Sequence, residues 1–413
     1  MKRFGFRWPL LAVALGLALT GAVACGGDDD DEGGSVVGFS DAGYKLAGFK
    51  TVTIDAGQPI RIGISSALSG DVKGLGEPIA DSAEAGARGV EIEGFAIEVV
   101  REDDLCTADG GPAAADRLTK ANVVAVVGPI CSGGTRPSLA TYEKAGITHI
   151  SPSATAGDLT QPTRPEGPYV TFFRVPVLNA DEAREQAKFM KDELDAKKVF
   201  VLHDTDEYGS DLSEQFQKFW KDDGGEIVGV QGYEKKTTDF MSIISTIKQA
   251  DADAVYFAGF YAEATPFLQQ LRNDDATKDI AFMGSDGVKN DELIKGAGAA
   301  AEGSYHALPG AQGEEFGTYA AKYKEHFSAD AEGATFGGEA FDAMTAIIKA
   351  IEKVAKVEGG KLVIDLKELN EEIKKSDFSG ATGQVQFGEN GDRKGAVVRI
   401  FQVKDGQYVQ VAE

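Results

Sequence analysis

From about residue 60 onward, short runs of β-branched and apolar residues alternate with amphipathic segments of ten or more residues. This is the signature of repeated βαβ units, in which doubly covered strands read as continuous apolar runs and crossover helices carry one apolar stripe. The predicted strands are Ile60–Ser65, Ile97–Glu102, Val123–Val127, Thr148–Ile150, Tyr169–Arg174, Lys198–His203, Ile227–Val230, Ala254–Ala258, Ile280–Met283 and Gly303–Ala307. Acidic residues mark helix starts: Asp181 for a segment reaching Leu194, Asp239 for one reaching Gln249, and Asp291 for a third. A carboxylate at a cap or in a first turn meets free N–H groups and the positive end of the helix dipole. After a helix near Leu366–Lys375 the period changes. Gly383–Phe387, Val397–Val403 and Tyr408–Val411 read as strands, separated by the turn sequences Glu389-Asn390-Gly391-Asp392 and Asp405-Gly406. The predicted fold class is α/β, a parallel body with an antiparallel ending. No repeat of fixed period is visible, which argues against a solenoid.

The first residues break this pattern. Lys2, Arg3 and Arg7 flank an apolar stretch from Pro9 to Thr20, too short to span a bilayer and read as an export signal over residues 1–24. It ends in Ala22-Val23-Ala24-Cys25, which resembles a bacterial lipobox, where cleavage leaves an N-terminal cysteine carrying lipid. Ala22-Val23-Ala24 also meets the small-x-small rule of ordinary cleavage, so a secreted form without lipid is the alternative. Residues 25–57 follow as a tether, with glycine pairs around the acidic run Asp28–Asp31 and Glu32. With Cys25 assigned to lipid, Cys106 and Cys131 remain as a pair in an exported chain. An oxidising compartment favours a disulfide between them, against two buried free thiols. Bridging residues 25 apart adds about 3.5 kcal/mol in the loop-entropy account.

Length and charge narrow the function. At 413 residues the chain exceeds what one hydrophobic core serves, and two or three domains are expected. Apolar residues at 42% and charged residues at 26% exclude a disordered chain and a polytopic membrane protein. A net charge of −24 is the wrong sign for binding nucleic acid. His149, His203, His306 and His326 stand alone, and no His-x-x-x-His, Cys-x-x-Cys or calcium-type acidic ladder occurs. There is no Gly-x-Ser-x-Gly elbow, and Gly74-Leu75-Gly76 lacks the third small position and the preceding strand of a nucleotide fingerprint. The expectation is a protein that is not an enzyme and uses neither metal nor cofactor.

What the chain does carry is a pair of hydroxyl-rich strand ends. Val123–Val127 runs into Gly128-Pro129-Ile130-Cys131-Ser132-Gly133-Gly134-Thr135, with a helix expected from Thr135 to Lys144, and Thr148–Ile150 runs into Ser151-Pro152-Ser153-Ala154-Thr155. Small hydroxyl residues and bare N–H groups at a helix start suit an anion, and in open α/β sheets ligands settle beyond the carboxyl ends of strands. Read alone, the same residues serve equally as ordinary helix caps.

Five ordered motifs turn this into a resemblance covering about Ile60 to Val403. Asp103-Asp104-x-Cys106, Gly128-Pro129-Ile130-Cys131-Ser132, Ser151-Pro152-Ser153-Ala154-Thr155, His203-Asp204-x-x-x-Tyr208-Gly209 and Phe282-Met283-Gly284-x-Asp286-Gly287 resemble the leucine/isoleucine/valine-binding protein family of periplasmic-binding-protein-like type I receptors. The resemblance implies two Rossmann-like α/β lobes with parallel sheets, joined by three crossover strands near Val175–Ala180, His306–Gly310 and Gly388–Gly391. Lobe one would hold residues 58–177 and 309–388, and lobe two residues 178–308 and 389–413. It further implies that Ser132 and Thr155 bind a ligand α-carboxylate, while the Ser153 carbonyl, the Thr155 hydroxyl and Asp286 meet the α-ammonium. Tyr208, Phe260, Ile130, Leu75 and Phe336 would wall the side-chain pocket. The family often has Glu at the Asp286 position and an aromatic residue at the Leu75 position. Asp is one methylene shorter, which calls for deeper lobe closure or an intervening water.

The implied function is capture of an apolar, branched-chain amino acid by hinge closure and delivery to an ABC permease with its ATPase subunits. The receptor would be a monomer, exported, and lipid-anchored at the outer face of the cytoplasmic membrane or in the periplasm. Rival readings are a receptor of the same fold for a short amide, urea or aromatic acid, a chemosensory role, and an exported enzyme working in the same cleft.

Overall fold

The computed structural model describes residues 38–161, 164–395 and 397–413. The export signal, Cys25 and the acidic run lie outside the described residues. Among those described, no helix is long and apolar enough to cross a membrane.

All but one of the expected strands gather into two sheets. The first has six strands in the order Glu91–Ile92, Phe95–Asp103, Ile60–Ser66, Ala125–Val127, Thr148–Ser151 and Phe172–Arg174. All its pairings are parallel except that of Glu91–Ile92 with Phe95–Asp103. The second has seven, in the order Gln407–Ala412, Val398–Lys404, Tyr305–Pro309, Ala281–Gly284, Ala254–Ala258, Lys198–Asp204 and Glu226–Tyr233. Its last five are parallel, and the two C-terminal strands add to them antiparallel. The central strands Ala125–Val127 and Ala254–Ala258 are buried along their whole length, as helices on both faces of a parallel sheet require.

The chain passes between the sheets three times: after Phe172–Arg174, after Tyr305–Pro309, and before Val398–Lys404. The second passage starts later than the expected His306, because His306 to Pro309 are still paired to Val398–Phe401. Of the three expected C-terminal strands, Gly383–Gln386 joins neither large sheet. It forms a separate hairpin with Asp377–Gly380. A further small sheet, Thr51–Ile54 with Lys361–Asp365 and Lys356–Glu358, matches no predicted strand.

Candidate functional site

The site is built where strand ends of the two sheets face each other. Strand Ala125–Val127 ends at Gly128, whose φ is +110°, and a Cβ there would stand 2.1 Å from the Ser65 carbonyl oxygen. Only glycine allows this approach. The following helix begins at Ser132, three residues before the expected Thr135, and runs to Ala145. Its N-cap is Cys131, which offers no capping side chain because its sulfur is bonded to Cys106. The Gly134 and Thr135 amides return to the Cys131 carbonyl. Those of Ser132 and Gly133 find no partner among the described residues, and they lie at the positive end of the helix dipole.

Hydroxyl groups tie this helix start to the neighbouring strand end. Ser151 donates to the Pro129 carbonyl at 2.6 Å, and Ser153 donates to the Ile130 carbonyl at 2.7 Å. Ser132 Oγ accepts the Ala156 N–H at 3.2 Å, which leaves its own hydrogen free to donate. Thr155 is fully buried, and its Oγ1 has no partner. A buried hydroxyl left unpaired is costly, so this atom marks a place where a polar group is missing.

The opposite wall comes from the second sheet. Strand Ala281–Gly284 ends in Ser285-Asp286-Gly287, and Asp286 is buried. Its Oδ1 accepts from the Tyr208 hydroxyl and from the Gly287 N–H, while its own N–H donates to Glu182 Oε1 at 3.0 Å. Glu182 lies in the first turn of helix Asn179–Asp192, which starts directly after the first passage between sheets. Asp286 Oδ2 and Glu182 Oε2 are both buried without a partner. Burial pushes both carboxyls up, Glu182 well above the carboxylate range with help from the Asp286 charge, and Asp286 less because the Tyr208 hydroxyl and the Gly287 N–H donate to it. The Tyr208 and Phe260 rings pack at 5.1 Å between centroids.

Between these walls lies a narrow cavity of about 10 Å³, room for a water molecule, so that an amino acid would enter only as the walls part. Ser132, Ser153, Tyr208 and Asp286 give it polar groups, and Leu75, Ile130, Phe260 and Phe336 give it an apolar wall. Eight of the nine ligand residues expected from sequence therefore share one cavity, and the ninth, Thr155, is buried outside its lining. Sequence reasoning missed Cys131 and Gly287 as lining residues, and missed Glu182 altogether. Beside Asp181, Glu182 reads as a second first-turn acid, and nothing in the chain signals its burial. Helices and loops flanking the two sheets also touch across the cleft. Asn290 Nδ2 donates to the Gly74 carbonyl at 3.1 Å, and Gly157 N–H donates to Asp211 at 3.2 Å. Lys235 bonds Asp206 and the Cys106 carbonyl. Among the described residues, no group of His, Cys, Asp or Glu is placed to hold a metal ion.

A family model described as periplasmic binding protein matches residues 59–407. The chain belongs to the periplasmic binding protein family. Members are solute-binding receptors for transport and not enzymes. This periplasmic binding protein is 29% identical over 375 residues to the leucine-, isoleucine-, valine-, threonine-, and alanine-binding protein of Pseudomonas aeruginosa, covering 87% of this chain and 94% of that relative. Its fold is that of the type I periplasmic binding proteins. It superposes with a TM-score of 0.75 on the Streptococcus pneumoniae branched-chain amino acid transporter substrate binding protein in complex with isoleucine. That pair is 24% identical, covering 86% of this chain and 100% of the other. A solute binding protein from R. palustris in complex with benzoate gives a TM-score of 0.73 at 19% identity, covering 86% and 96%.

Proposed function

We propose that this protein is an extracytoplasmic receptor that captures an apolar, branched-chain amino acid and hands it to an ABC importer. The observation that carries the reading is the polarity of the cavity. One wall holds free N–H groups of a helix start and spare hydroxyls, which suit a carboxylate. The other holds Asp286 backed by Glu182, acidic groups with no cation paired to them, which suit an ammonium. The two poles describe a zwitterion, and the apolar wall between them takes a hydrocarbon side chain. In this reading Ser132 and Thr155 hold the α-carboxylate. The Ser153 carbonyl, Thr155 and Asp286 hold the ammonium, and Leu75, Ile130, Tyr208, Phe260 and Phe336 enclose the side chain. Capture proceeds by hinge closure, with residues 58–177 and 309–388 moving as one lobe against 178–308 and 389–413. The closed form is what the permease reads. A monomeric receptor lipidated at Cys25 and held by its acidic tether stays near that permease at high effective concentration.

The test is calorimetric titration of the chain from Gly34 onward with leucine, isoleucine, valine, benzoate and butyramide. Binding of the apolar amino acids alone is expected, and at 100-fold the Kd it should add about 2.7 kcal/mol of stability. The benzoate-bound neighbour gives the rival outcome its form. Response to benzoate or butyramide without response to amino acids would overturn the zwitterion reading and leave the fold intact.

A further inference from the structure

Glu182 and Asp286 are buried acids, 0% and 1% exposed, joined through the Asp286 backbone N–H, which donates to Glu182 Oε1 at 3.0 Å, while Glu182 Oε2 and Asp286 Oδ2 are both buried without a partner. The titratable groups that feel their charge are Tyr208 from helix Glu207–Asp222 and Tyr256 from strand Ala254–Ala258, and the polar side chains bonded to those two tyrosine residues are Asn179 and Gln186 from helix Asn179–Asp192. None is a cation. Gln186 is already engaged, accepting from the Tyr256 hydroxyl at 2.7 Å and donating to the Gly284 carbonyl at 3.0 Å. Asn179 donates to Asp211 at 2.7 Å. Two adjacent anions cannot both persist in such a setting, since burial and like charge each favour taking up a proton. Asp286 has two donors to support its charge, namely the Tyr208 hydroxyl and the Gly287 N–H. Glu182 accepts one N–H only, from Asp286 itself. The proton therefore belongs on Glu182, in line with the upward push on that carboxyl.

We propose that Glu182 is a neutral carboxylic acid at physiological pH and donates a hydrogen bond to the Asp286 carboxylate, positioning it as the single negative charge that meets the ligand's ammonium. Glu182 is thus a positioning residue lying behind the pocket wall. It offers Asp, which is one methylene short of Glu, support from the rear. The pair presents one charge to one ammonium, where two ionised carboxylates would leave an anion unmatched. This rests on the zwitterion reading of the site, but half of it is readable without any ligand.

Infrared spectra of the unliganded chain at pH 7 should contain a protonated-carboxyl C=O band that Glu182→Gln deletes and Asp286→Asn shifts, because the acid loses its charged acceptor. In titrations with leucine, Glu182→Gln, whose amide also donates, should bind within about threefold of the parent. Glu182→Ala, with no donor, should bind at least tenfold more weakly. The proposal is overturned if Glu182→Gln removes no such band, or if it weakens leucine binding as much as Glu182→Ala does. Should the parent bind neither leucine nor any other amino acid, the zwitterion reading falls, and the infrared comparison still decides the state of Glu182.

Discussion

At the scale of single residues, the most informative atom is Thr155 Oγ1, buried and without a partner among the described residues. A group whose hydrogen bond is made only in the complex can be deleted without harming the fold. Thr155→Val is therefore expected to leave the melting temperature unchanged or slightly higher. It should weaken amino-acid binding by roughly tenfold or more, since a charge-assisted hydrogen bond contributes about 1.5–3 kcal/mol. Calorimetry beside a thermal melt reads both, and a variant that loses stability but keeps affinity would remove Thr155 from the ligand site. Ser132 differs, because its hydroxyl already accepts the Ala156 N–H. Ser132→Ala should lower both stability and affinity. These two residues were legible through the ordered motifs that resemble a family, since a hydroxyl at a strand end read alone serves equally as a helix cap. Glu182 was not, because an acid in a first helical turn is the commonest of surface features and its burial is decided by helix packing.

Elements were legible where one period dominates. The parallel strands announced themselves as apolar runs, and most ends fell within a few residues. Thr51–Ile54 escaped because it is short and buries only Ile54, and Lys356–Glu358 and Lys361–Asp365 because they are short and carry lysine and acidic residues among few buried ones. The expected strand Gly383–Phe387 forms as Gly383–Gln386, but its partner Asp377–Gly380 is half polar, which hides the hairpin in the sequence. The helix start at Ser132 came three residues early because Cys131 caps it through backbone geometry alone. The second passage between sheets turns on Gly310, with φ +87°. Arg399 Nε donates to its carbonyl at 2.5 Å, and a Cβ added there would stand 2.2 Å from Glu339 Oε1. Gly310→Ala should destabilise by about 1–3 kcal/mol through a left-handed backbone and a displaced buried carboxyl. Denaturant unfolding measures it, and an unchanged midpoint would show that the passage relaxes freely. The Cys106–Cys131 bridge joins the loop after Phe95–Asp103 to the start of the site helix. Reduction should cost about 3.5 kcal/mol and loosen the helix start, measurable as a lower unfolding midpoint together with a loss of affinity, and an unchanged midpoint would show that the bridge holds nothing the fold does not.

Across the whole molecule, titration of buried groups sets how stability depends on pH. Burial pushes Asp104 up to about 6, and Asp204 and Glu339 up to about 7. Raised carboxyls bind protons more tightly folded than unfolded. Their stabilisation is complete below the ordinary carboxylate range and is lost as pH rises through 6 and 7. His149 and His306 are pushed down to about 3 by burial. Their contribution is present above the ordinary 6.5 and is lost as pH falls toward 3, so it is nearly constant above pH 6.5. Lys289, lowered to about 8 mainly by burial, acts mostly above that value. Between pH 6.5 and 7.5 the carboxyls therefore dominate, and the net charge of −24 adds self-repulsion of the same sign. The melting temperature should fall as pH is raised across that window. Glu339 is the cleanest place to test it, since it is buried beside Gly310 at the second passage and lines a larger cavity of about 680 Å³, which shares only Phe336 with the lining of the smaller one. Glu339→Gln should flatten the slope by up to one proton's worth, about 1.4 kcal/mol per pH unit at most. Leucine affinity should stay within a few-fold of the parent. A parent whose melting temperature rises from pH 6.5 to 7.5, or a Glu339→Gln variant with the same slope, would mean that water admitted through the larger cavity keeps these carboxylates ionised in the folded protein.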